Sequence, residues 1–265
     1  IRNIVYRFIY NTLIHDEVAL AKKESVSLLA KWLPSENASS KKTKELATKI
    51  RKNISLSPKA YRKALSSLRK GLKIVERDMS ANDWDKIDYN SVPSRANLNY
   101  KNAFLKHDGE RRKQYLSDLV NGVSGVKMNS SVNFPYDIVH KYSEELELGY
   151  LNRKACLLKE DETLEMAWKN LKDIPGLDNC LVVADDSGSM LEEISSTSKV
   201  SALDVARSIA IYGAQHLRGD YNGKIVTFSR TPKFLDISQK KNLKDILEYL
   251  DEHSEVANTN VEAVF

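Results

Sequence analysis

The stretch Cys180-Leu181-Val182-Val183-Ala184-Asp185-Asp186-Ser187-Gly188-Ser189-Met190 decides how this chain is read. Its first five residues are an unbroken apolar run of strand length, the pattern of a strand buried on both faces of a parallel sheet. A Ser-rich turn follows at once, and Gly188 lets its backbone fold closely. Downstream, the pattern predicts a helix from Val200 to about Leu217, a strand over Lys224 to Phe228, an extended piece around Phe234-Leu235 and a helix from Leu243 to about Glu252. That order is the order of an α/β domain. In open α/β sheets ligands bind where strands end and loops begin, so the turn after Ala184 stands where a site is expected.

The spacing Asp185-x-Ser187-x-Ser189 puts one carboxylate and two hydroxyls into a single turn. These hard oxygen ligands suit Mg2+ or Mn2+ in octahedral geometry better than zinc. Further on, Asn258-Thr259-Asn260 offers another hydroxyl in a loop before a helix starting at Val261. A helix cap is the bland reading of the turn. A hydrolase would use Ser187 or Ser189 as nucleophile, but its only candidate bases, His216 and His253, each fall on a polar helix without an orienting third group. A phosphatase with an Asp nucleophile at Asp185-Asp186 lacks a later Lys-and-acid pair.

Upstream of Pro175-Gly176 the chain reads as all-helical. Apolar residues at helical spacing from Ile4 to Trp32 predict an antiparallel helix pair broken near His15-Asp16, with Trp32 and Trp84 as core residues. Lys41 to Ile54 is a further helix, and Ser57-Pro58 is a helix start, the Ser oxygen capping and the Pro fitting the first position. One long helix is expected from Pro58 to about Met79. At 100° per residue, Lys59, Arg62, Lys63, Arg69, Lys70, Lys73 and Arg77 then share an arc of about 120°, opposite Tyr61, Ala64, Leu65, Leu68, Leu72 and Val75. Such a stripe, without one acid in it, is a candidate RNA-binding face. Tyr61, Tyr89, Tyr100 and Tyr115 are the candidate stacking aromatics beside it. Helices are also expected over 95–107, 108–120, 135–148 and 161–171.

The charge is divided in the same way. The whole chain of 265 residues carries a net +5, but residues 177–265 hold nine basic against fourteen acidic residues, leaving +10 on residues 1–176. That asymmetry predicts two domains, 1–175 and 176–265, with different partners. Two cysteines, Cys156 and Cys180, cannot build a disulfide scaffold or a four-ligand zinc site, so both are expected to be small core residues in a reducing, cytoplasmic setting. No run approaches about 18 apolar residues, so no membrane span is expected. The chain starts on Ile1 and stops at Phe265, and is expected to be a piece of a longer one.

The Asp-x-Ser-x-Ser turn after a buried strand, followed by Thr259 in a later loop, resembles the metal-ion-dependent adhesion site of the von Willebrand factor A domain. The resemblance implies a Rossmann-like α/β fold. It also implies Mg2+ or Mn2+ held by the hydroxyls of Ser187, Ser189 and Thr259 and, directly or through water, by Asp185, with a partner's carboxylate completing the coordination. The family's last Asp has no counterpart before Phe265. The segments Lys31–Ala38, Tyr61–Lys70, Trp84–Tyr89, Val92–Ala96 and Phe104–Asp108 resemble a family of domains of unknown function that joins such helices to an A domain. Its layout is similar to the Ro autoantigen, in which a helical, TROVE- or HEAT-like repeat module binds RNA. The resulting expectation is a non-catalytic binding protein. Its helical module would take RNA on the basic face, and its A domain would take Mg2+ and an acidic protein partner. A protein scaffold without nucleic acid, its basic face meeting an acidic protein or its own A domain, is the alternative. No nucleotide loop, His-Glu-x-x-His or nucleophile-base pair points to an enzyme.

Overall fold

A computed structural model describes residues 2–72, 74–130, 132–150, 158–173, 180–196 and 198–264. Among these residues ten α-helices come first: α1 (Arg2–Ala21), α2 (Leu29–Trp32), α3 (Lys41–Asn53), α4 (Pro58–Gly71), α5 (Val75–Ser80), α6 (Ser94–Asn99), α7 (Lys101–His107), α8 (Gly109–Val120), α9 (Pro135–Tyr150) and α10 (Glu162–Lys169). There follow β1 (Val182–Asp185), β2 (Glu193–Ser195), β3 (Ser198–Ser201), α11 (Ala202–His216), β4 (Lys224–Phe228), β5 (Lys233–Asp236) and α12 (Leu243–His253). A helical region is thus followed by a small mixed sheet with helices.

By packing, residues 1–87 form one compact unit and 88–265 a second. The change of pattern at 175–176 lies outside the described residues. It does not coincide with this division, because α9 packs along α11 inside the second unit.

In the first unit Leu13, Ala30, Ala47, Tyr61, Leu65 and Leu68 form the buried core. The predicted break at His15-Asp16 does not occur: α1 runs on, and the buried Asp16 carboxylate instead accepts hydrogen bonds from Ser27 N (2.9 Å) and Ser27 Oγ (2.6 Å), fixing the turn before α2. The long helix expected over 58–79 is two. α4 stops at Gly71, where a Cβ would lie 2.4 Å from Leu20 Cδ1, so any side chain there would need the tip of Leu20 to shift. Arg77 therefore stands on α5, off the regular arc of α4.

In the second unit β1 pairs in parallel with β4 (Val182 opposite Ile225, Asp185 opposite Phe228), and β4 pairs antiparallel with β5 (Ile225 opposite Leu235). Ile225, Leu235, Ile211 and Leu243 fill the core beneath. The expectation of a strand buried on both faces fails for β1. It is an edge strand among the described residues, with Val183 44% exposed, and Cys180 beside it is exposed rather than in the core. Cys156 lies outside the described residues. The hairpin of β2 and β3 was not foreseen; its Ser-rich strands show no apolar alternation. Arg112, fully buried, donates to Asn97 Oδ1 (3.0 Å) and Thr163 Oγ1 (3.2 Å) among the rings of Tyr89, Phe104 and Tyr115, joining α8 to α6 and α10.

Candidate functional site

The turn after β1 is held from three sides. Ser187 N donates to Asp185 Oδ1 (2.8 Å), closing the turn on itself, and the hydroxyls of Ser187 and Ser189 lie 3.2 Å apart. Asp186 N donates to Phe228 O (3.2 Å) at the end of β4, and Gly188 N donates to Ala257 O (2.9 Å) in the loop after α12. Ser229, almost fully buried, locks that loop in turn: its Oγ accepts from Ala257 N (2.7 Å) and its carbonyl from Asn260 N (2.9 Å). Three chain segments at the end of the parallel strand pair are therefore stitched together by main-chain bonds.

Asp185, Ser187 and Ser189 are brought together as the spacing predicts. Thr259 sits on the adjoining loop, exposed, two residues from the bond between Ala257 and Gly188, and its hydroxyl makes no hydrogen bond to the other three among the described residues. Where a helix starting at Val261 was expected, there is a single 3-10 turn, Glu262–Val264.

The donor chemistry fits a hard divalent cation. Neighbouring oxygens around octahedral Mg2+, at about 2.0–2.1 Å from the metal, lie about 2.9 Å apart, close to the 3.2 Å between the two serine hydroxyls. One carboxylate and two hydroxyls are a modest set, and among the described residues no group of three or more His, Cys, Asp or Glu side chains gathers as metal ligands.

Two further groups bear on this turn: Asp186, weighed in the sequence only as a phosphatase nucleophile, and Val256, on the loop after α12, which was not singled out. Asp186 is buried, with Oδ2 accepting from Ser254 Oγ (3.0 Å) and Oδ1 without a hydrogen-bond partner; burial pushes its carboxyl above the usual carboxylate range. Val256 holds φ at 44°, a left-handed conformation that costs a β-branched residue on the order of 1–3 kcal/mol. In the sequence Asp186 stands inside the motif, and nothing there marks Val256. The two candidate bases for a serine nucleophile are engaged on their own helices: His216 Nδ1 lies 2.7 Å from Tyr212 O, and His253 Nδ1 lies 2.8 Å from Tyr249 O.

The cationic face lies in the first unit. Lys59, Arg62, Lys63 and Lys70 are exposed on α4, and none is ion-paired with a described residue. Arg77 is exposed on α5, 3.6 Å from Asp78, and Lys73 lies outside the described residues. Arg69 does not join the face. Its guanidinium donates to Ala30 O (2.8 Å), Leu33 O (2.6 Å) and Ser35 Oγ (2.7 Å), and serves the fold.

The aromatic expectations are also revised. Tyr61, Tyr89 and Tyr115 are buried, and Tyr100 packs edge-on against Phe104. Trp32, expected in the core, is 75% exposed, because α2 is a single turn whose inward positions belong to Ala30 and Leu33; Trp84 is partly exposed.

Residues 53–174 match the model of a domain of unknown function, DUF2828, and residues 179–265 match that of a second, DUF7788. The chain is similar to an "Uncharacterized protein L728" of Acanthamoeba polyphaga mimivirus, 28% identical over 263 residues, 92% of this chain. It spans 42% of the length of that relative. No solved structure matches. No helix among the described residues is long and apolar enough to cross a membrane.

Proposed function

We propose that this chain is a non-catalytic binding protein whose helical part holds RNA through α4. The turn after β1, read as an A-domain adhesion site, takes Mg2+ and a carboxylate from a protein partner. The observation that carries the RNA half is the row of Lys59, Arg62, Lys63 and Lys70, four exposed cations on one helix face without a paired acid among the described residues. Solvation of a helix calls for mixed charge, whereas an unneutralised stripe draws phosphates and releases their counterions. For the second half, Ser187, Ser189 and Asp185 would hold the ion, and Thr259 would join them if its loop closes. Bound there, the ion supplies a positive charge with open coordination positions for the partner's carboxylate.

Electromobility measurements over a salt series test the RNA half. Affinity falls steadily as salt rises, and the double variant Lys63→Glu/Lys70→Glu binds more weakly with a shallower salt dependence; unchanged affinity removes this reading. Calorimetric titration with Mg2+ tests the other half: the chain gives a binding isotherm that Ser187→Ala lacks.

The exposed apolar side chains Ile4, Phe8 and Val18 on α1 favour a second reading, a protein scaffold without nucleic acid. An ultraviolet absorbance ratio of pure protein after purification at low salt would support it.

A further inference from the structure

We infer that the groove beside Trp32 is a nucleotide-stacking subsite that takes one base of a single-stranded RNA on the indole face, with the flanking phosphates on Arg62 and Arg77. The inference rests on the RNA reading above and adds to it the form of the nucleic acid and the residue that senses it.

Four hydrogen bonds pin the segment that carries the indole. Arg69 bonds Ala30 O, Leu33 O and Ser35 Oγ, and Tyr61 Oη donates to Pro34 O (2.9 Å). An indole 75% exposed is a poor use of the largest apolar side chain in a small core. With the backbone that carries it held this firmly, a ligand that covers the indole has only a side chain to order on binding. The groove before it measures about 670 Å³, within the roughly 300–1,000 Å³ of small-molecule sites.

The lining supplies what a nucleotide needs. Lys31, Arg62 and Arg77 bring cations and Ser66 a hydroxyl, while Arg69 and Ser35 are bonded to one another and Arg69 to the backbone. Its two carboxylates are already matched: Glu36 by Arg51 at 2.6 Å, and Glu76 by Lys31 at 3.8 Å. Lys31 Nζ also stands 5.8 Å from the centre of the Trp32 ring, at the rim of the platform. Arg62 and Ser66 lie on the same α4 face as Lys59, Lys63 and Lys70, so a strand leaving the groove continues along cations.

A duplex hides its base faces, and only a single strand can lay one on the indole. An acidic peptide would satisfy the arginines and leave the ring uncovered.

Fluorescence anisotropy of the full chain with a short labelled oligouridylate, alone and paired with oligoadenylate, tests this. Trp32→Ala weakens single-strand binding about tenfold with the salt dependence unchanged, Trp32→Phe restores most of the loss, and duplex affinity does not move. Circular dichroism of both variants matches the parent. If Trp32→Ala binds the single strand as the parent does while Lys63→Glu/Lys70→Glu still weakens it, the stacking subsite is overturned and the RNA reading stands. If neither form of RNA binds the parent at low salt, both fall. If oligoglutamate competes as well as unlabelled oligouridylate, the groove serves an acidic peptide and the inference is overturned.

Discussion

Arg69 and Lys70 are neighbours in the chain with opposite duties. Arg69 gives its guanidinium to two carbonyls and a hydroxyl that would otherwise lack a charged donor, and partial burial holds its pKa below the ordinary arginine value. Arg69→Met is therefore expected to lower stability by about 2–3 kcal/mol, read as a reduced urea midpoint at unchanged slope. Lys70→Glu stays within about 0.5 kcal/mol of the parent. Tyr61 gives a pH signature to the same corner. Burial pushes its phenol up to about 12 from an ordinary 10.0, and nearby Arg69 offsets only part of that rise. The folded state thus keeps a proton that the unfolded chain loses. Its contribution is full below pH 10 and lost as pH rises towards 12, and the fall is smaller in Tyr61→Phe when unfolding is followed across that range. None of this was legible in the periodicity, which assigns a residue to a face but does not say which backbone carbonyls that face meets. Trp32 and Arg69 exchanged their expected places for that reason.

Helices and strands were more legible than their surroundings. β4 was found at its observed limits, with Ile225 fully buried and every residue at least half-buried. The apolar run before Asp185 was found as a strand, yet composition does not say what packs on each face of it, so its two-sided burial was overestimated. The joint between α4 and α5 went unseen because the separation of cations from apolar residues at helical spacing runs on without a break from Lys59 to Arg77. The Asp185-x-Ser187-x-Ser189 turn was legible as spacing, while its support by Ser229 and Ser254 comes from other loops.

A clasp between two helices was also hidden. Asp204 closes the capping box of α11 with Ser201 and also accepts from Ser143 Oγ (2.6 Å) and faces His140 Nδ1 (2.8 Å), both on α9. Since one carboxylate serves two helices, Asp204→Ala is expected to cost about 3 kcal/mol against about 1 for Ser143→Ala, as thermal or urea unfolding will show.

Each of the two compact units has its own buried core, so stability belongs to the units before it belongs to the chain. Scanning calorimetry of the whole chain should resolve two transitions, with Arg69→Met lowering one and Asp204→Ala the other. A single transition shifted equally by both would refute this. The net charges of +10 and −5 were counted about position 176, inside the second unit, so charge and packing divide the molecule differently.

The outer side of β1 makes concentration a structural variable. Among the described residues its backbone donors and acceptors are paired only towards β4, and Val183 stands exposed on the strand. A chain crowded against its own copies can complete its sheet with a neighbour's strand, so dilute and concentrated samples of this protein need not contain the same particle.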